Sequence, residues 1–109
     1  MLKEKEIYHH YCIVQEGLPI GVTAAQLVHA AGESNPEGKK CYSVVLSANE
    51  DKLAFIESML SQNQISHVAV REPDSPYDGR LMAIGIHPCI RHLSDELRKI
   101  VGKLPLLKE

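Results

Sequence analysis

The stretch Gly17-Leu18-Pro19-Ile20-Gly21 runs straight into Val22-Thr23-Ala24-Ala25-Gln26-Leu27-Val28-His29-Ala30-Ala31, a glycine-bounded turn feeding an alanine-rich helix. A helix that starts after such a turn leaves its first backbone N–H groups without intrahelical partners, and an anion can take their place. Two carboxylates, Glu72 and Asp74, lie in the breaker-rich run Glu72-Pro73-Asp74-Ser75-Pro76-Tyr77-Asp78-Gly79, where they serve equally as turn formers. His87, Cys89 and His92 spell a His-x-Cys-x-x-His pattern with the types of a metal site. Pro88 and the change from strand to helix keep those three from converging, so no metal ligands are assigned. His9 and His10 are adjacent on a strand, point to opposite faces and cannot clamp one ion, so both are read as surface residues at a strand start.

The elements that must position these residues form one domain, residues 1–109, of 44% hydrophobic and 24% charged residues. That length supports a single core. A net charge of −2 announces no broad nucleic-acid surface, although it leaves room for a local basic patch. No apolar run is long enough to cross a bilayer, and the charged start Met1-Leu2-Lys3-Glu4-Lys5-Glu6 has no apolar signal core behind it. A cytoplasmic protein with no membrane partner is therefore expected. Cys12, Cys41 and Cys89 are too scattered for a zinc site and read as reduced thiols, with Cys12 and Cys41 as core filler.

Residues 7–15 read as a first, interior strand, and residues 23–31 as a helix. Ala24, Leu27, Val28 and Ala31 make the helix's apolar face, which leaves Thr23, Gln26, Ala30 and partly His29 to the rim or the opposite side. A loop over 32–38 leads to a second strand over 39–46, with Cys41-Tyr42-Ser43-Val44-Val45-Leu46 as its run. Ser47-Ala48-Asn49-Glu50 has the spacing of a capping box and opens a helix with Leu53, Ile56, Met59 and Leu60 on one side. Strands over 65–71 and 81–86 flank the acidic loop as a hairpin, with His67 a packed strand histidine. A last helix aligns Leu93, Leu97 and Ile100, and the apolar tail Leu104-Pro105-Leu106-Leu107 must pack on the sheet or meet a second subunit. The order β-α-β-α-β-β-α predicts an α/β fold, a four-stranded mixed sheet flanked by helices. Ligands in such sheets gather beyond the carboxyl ends of parallel strands, which places 17–26 and 72–79 at one edge.

The spacing Gly21-x-x-Ala24-Ala25-Gln26-x-x-His29-Ala30 resembles the opening of the type 2 peptidyl-tRNA hydrolases. Ser43-Val44-Val45-Leu46, Ser66-His67-Val68-Ala69-Val70-Arg71-Glu72 and Met82-Ala83-Ile84-Gly85-Ile86-His87-Pro88 follow in the family's order, so the resemblance runs from about Tyr11 to Leu107. It implies cleavage of the ester of peptidyl- or aminoacyl-tRNA without a cofactor, with Gln26, His29, Glu72 and Asp74 as catalytic residues. Gly21, Thr23, Arg71 and Ser75 are then substrate-binding, tRNA is the partner, and a homodimer is implied. Val22 and Ile20 stand where the family's enzymes have lysines, as in its divergent domain-containing members. That departure carries the alternative of a non-catalytic RNA- or protein-binding module of the same fold.

Overall fold

The computed structural model describes residues 8–90 and 95–107. Leu93 and His92 lie outside them. The elements are β1 (Tyr8–Gln15), α1 (Ile20–Ser34), β2 (Cys41–Ala48), α2 (Glu50–Gln62), β3 (His67–Glu72), β4 (Arg80–Ile86), β5 (Cys89–Ile90) and α3 (Asp95–Val101). Strand order is β2-β1-β4-β3, with the two-residue β5 beside β1 beyond Pro88. β1 and β2 are parallel, whereas β4 runs antiparallel to both β1 and β3. The expected mixed sheet of four principal strands is thus present. β1, β2 and β3 all point their carboxyl ends to the same edge.

Alternation along the central strands divides the interior in two. Ile13, Ile84 and Ile86 face Leu53, Ile56 and Leu60 of α2 and Leu97 and Val101 of α3. Cys12, Val14 and Ala83 face the other way, toward Ala30 of α1. Asn49, rather than Ser47, caps α2: its side chain accepts from Lys52 N at 2.8 Å, while Ser47 is buried in β2. A single asparagine acceptor does the capping work that the Ser-x-x-Glu spacing suggested for two side chains.

Helix α1 departs most from expectation. It begins at Ile20, so Gly21 belongs to its first turn, and it extends through Gly32 to Ser34. Its buried residues are Thr23, Gln26, Ala30 and Ser34, whereas Ala24 is exposed and Val28 is 71% exposed. The inward face is therefore rotated by about one residue from the apolar stripe. The reason lies in β4. A Cβ at Gly85 would collide with the Ala30 carbonyl oxygen and with Ser34 Oγ, so α1 rests almost directly on the strand backbone. Only small or internally bonded side chains fit that contact. Ser34 Oγ donates to Ala30 O at 2.6 Å and accepts from His10 Nε2 at 2.7 Å.

His10 is consequently a buried residue, 5% exposed, and not a surface residue at a strand start. His9 is half-buried against Tyr11 and Tyr42. His67 matches its expectation, with Nδ1 donating to Ile65 O at 2.7 Å. Cys12 is core and its burial pushes the thiol up to about 11, but Cys41 is only half-buried, with Sγ 3.1 Å from Lys39 O. The tail packs back: Leu106 bridges Leu46, Ser47 N donates to Pro105 O and Leu107 N to Val45 O, each bond at 3.0 Å.

Candidate functional site

At the carboxyl edge of the sheet, the start of α1 meets the loop between β3 and β4. Gly79 N closes that loop onto Glu72 O at 2.7 Å, and Tyr77 N bonds Asp74 O at 2.9 Å. Asp78 and Gly79 take positive φ, 48° and 87°, which turns the chain back into β4. The result is a shallow depression of about 280 Å³ bounded by Gly21, Val22 and Gln26 on one side and Glu72, Asp74, Ser75 and Tyr77 on the other.

Gln26 is 4% exposed, and its Nε2 donates to Glu72 Oε2 at 3.5 Å. Glu72 Oε1 accepts from Asp74 N at 3.1 Å. A carboxylate held from two directions in this way presents a defined lone pair to the depression, and the long Gln26 contact orients it without saturating it. Gln26 and Glu72 also border a neighbouring hollow of about 390 Å³ that contains His29, so the pair forms the ridge between the two. Among the residues implicated by sequence, Gly21, Gln26, Glu72, Asp74 and Ser75 meet in one place.

Three do not join them. Thr23 is buried, and its hydroxyl donates to Leu18 O at 3.4 Å. His29 is exposed and pairs with Glu33 one turn on, at 3.6 Å. Arg71 carries its guanidinium to Glu57 of α2 in two hydrogen bonds of 2.9 and 3.0 Å, and those bonds further favour its charged form. The α2 side is the sheet face opposite α1, so Arg71 brings no charge to the depression. Arg80 lies 5.8 Å from the Tyr77 ring and 3.8 Å from Glu50, and Lys39 sits over Tyr8 at the far end of β1. Tyr77 and Val22 line the depression without having been named as site residues. Tyr77 carried one signal, its position inside the Pro-Asp-Ser-Pro loop.

Together these features define a three-layer α/β domain with a small acidic polar site at the carboxyl ends of its parallel strands. No protein-family model and no curated protein matches the sequence. A solved structure of a protein of unknown function from Agrobacterium tumefaciens str. C58 is similar, with a TM-score of 0.65 and 14% identity over 93% of this chain and 98% of that one. That likeness is one of fold. No group of three or more His, Cys, Asp or Glu side chains among the described residues is arranged to hold a metal, and no described helix is long and apolar enough to cross a membrane.

Proposed function

We propose that this chain is a peptidyl-tRNA hydrolase-like protein that cleaves the ester of peptidyl- or aminoacyl-tRNA at the depression between α1 and the β3–β4 loop. The observation that carries the reading is the meeting of Gln26 with Glu72, two residues the resemblance names from opposite halves of the chain. Ester hydrolysis needs an oriented water, a base for its proton and donors for the developing oxyanion. Glu72 accepts the proton as the water oxygen attacks the carbonyl carbon. Gln26 holds the water or the carbonyl through its carboxamide. The open N–H groups of the first α1 turn, at Gly21 and Val22, supply the donors. Collapse of the tetrahedral intermediate breaks the bond to the ribose oxygen, which takes the proton back from Glu72.

The test is release of peptide from peptidyl-tRNA by the purified protein. Gln26→Ala and Glu72→Gln are expected to lower kcat/KM by roughly 10²-fold or more, as loss of one oriented polar group typically does. A rate equal to the uncatalysed one, or a residual rate that Gln26→Ala does not change, removes the catalytic reading.

A second reading, a non-catalytic binding module, is favoured by the lining itself: Glu72 and Asp74 face the depression, and among the described residues no lysine or arginine lines it. Titration with tRNA at several salt concentrations tests whether such a module takes RNA or a protein, because each neutralised phosphate steepens the salt dependence by roughly 0.9 in a log–log plot for a duplex, while the peptide-release assay separates it from the hydrolase.

A further inference from the structure

The sheet has two edges, and the one formed by β3 is open: among the described residues β3 pairs with β4 alone. His87 N donates to Ser66 O, and Val68 and Val70 stand opposite Gly85 and Ala83 in the same ladder, so the backbone groups of every second residue from 66 to 70 turn toward β4. Past the bulge between Val70 and Arg71, Glu72 O accepts from Gly79 N and turns the same way. The N–H and C=O groups of Ala69 and Arg71 are left pointing outward. Both residues line the hollow of about 390 Å³ whose opposite wall is α1. They line it with main chain, because their side chains lie on the other face of the sheet: Ala69 stands opposite Ile84 of the α2-side core, and Arg71 reaches Glu57 of α2.

We infer that this hollow is a docking groove for an extended peptide segment of a partner protein, which adds to β3 as a further strand and points basic side chains at α1. Unpaired edge amides and carbonyls select a polypeptide backbone, since another strand matches their spacing along the edge. The α1 side of the groove selects the side chains. Glu33 and Glu72 supply carboxylates there, and their side-chain partners are His29 at 3.6 Å and Gln26 at 3.5 Å, neither of them a lysine or an arginine. Arg71, the one lysine or arginine among the lining residues, spends its guanidinium on Glu57 beyond the sheet, so the groove keeps a surplus of negative charge. Same-face residues of an added strand repeat about every 7 Å. Two successive basic side chains therefore span most of the roughly 10 Å of α1 between Gln26, which holds Glu72, and Glu33. Docking here requires no chemistry at the Gln26–Glu72 pair and is independent of the hydrolase reading.

The experiment is an NMR titration of the full chain, with amide hydrogen exchange, using short capped peptides: alternating valine and lysine, alternating valine and glutamate, and the lysine peptide N-methylated on one or the other alternate set of amides. Expected with the lysine peptide are saturable shifts at His29, Glu33 and β3, and at least tenfold slower exchange of the Ala69 and Arg71 amides. The glutamate peptide should bind at least tenfold more weakly, and Glu33→Lys should weaken the lysine peptide by a similar factor. N-methylation should abolish binding for the set of amides that faces β3 and leave it within about twofold for the other set. Absence of saturable binding, equal effects of the two methylated sets, or equal affinity for the glutamate peptide overturns the docking groove. So does slow exchange of the Ala69 and Arg71 amides in the free protein, which would mean that the edge is already covered, by a second copy where that protection grows with protein concentration. A protein that binds the lysine peptide but releases none from peptidyl-tRNA keeps this groove and loses only the hydrolase reading.

Discussion

At the scale of single residues, Val22 and His10 decide the most. Val22 lines the depression at the position where the family that the sequence resembles has a lysine, and among the described lining residues the carboxylates stand without a cation. Val22→Lys is expected to strengthen tRNA binding, to steepen its salt dependence by about one phosphate, and to raise any peptide release. An unchanged salt slope would show that residue 22 does not face the bound RNA. His10 reports on a different matter, the seating of α1. Burial, helped by the nearby His87, holds its pKa below the usual 6.5. As pH falls, the unfolded chain therefore takes a proton before the folded one. This contribution to stability is complete above pH 6.5 and is lost as pH drops from there through the lower folded-state pKa. Denaturation midpoints measured across that range should fall toward acid, and His10→Gln, which keeps a donor for Ser34, should flatten the curve. A slope identical in both proteins would assign the acid sensitivity to other groups.

Among the elements, α1 carries the site, and β4 dictates where α1 lies. Gly85 lets the helix approach until Ala30 and Ser34 touch the strand backbone, and that approach sets the height and rotation at which Gln26 meets Glu72. Gly85→Ala would force the helix away from the sheet, at a cost of about 1–3 kcal/mol, in the range found for overpacked cores. The check is the denaturant midpoint together with the chemical shift of the Gln26 side-chain amide. A midpoint equal to that of the parent protein would mean that the sheet yields instead of the helix. The β3–β4 loop is the other half of the site. Its closure through the Gly79-to-Glu72 backbone bond fixes Glu72 at the strand end, so the carboxylate faces α1 independently of the exposed tip.

For the molecule as a whole, the C-terminal tail completes the sheet. It hydrogen-bonds to β2 through Ser47 N and Val45 O, covering part of an edge that would otherwise offer unpaired backbone groups, and it walls an apolar groove. Removal of residues 104–109 is expected to expose the Ser47 amide to fast hydrogen exchange and to increase association of the protein, read by light scattering. If Ser47 stays protected in the truncated chain, the tail is not what shields this edge. Among the described residues, none of the tail pairs with the first half of β2, and Tyr42 stands 63% exposed there.

Local signals in the sequence were enough for the order of elements and for bringing the 17–26 and 72–79 segments to one edge of the sheet. Strand runs such as Tyr11-Cys12-Ile13-Val14, the breakers at 72–79 and the apolar spacing of Leu53, Ile56 and Leu60 depend on neighbours a few residues away, and each element formed where those neighbours pointed. The parallel pairing of β1 with β2 then followed from a crossover through a helix. The inward face of α1 was not legible in the same way. Its stripe of Ala24, Leu27, Val28 and Ala31 is a local hydrophobic pattern, but the buried set of Thr23, Gln26, Ala30 and Ser34 is selected by Gly85, more than fifty residues distant in the chain. The destination of Arg71 was equally hidden, because its partner Glu57 sits on another helix and on the opposite face. Tertiary structure alone decided which polar side chains meet, since a contact between distant segments depends on how closely the layers pack, and here a missing Cβ set that distance.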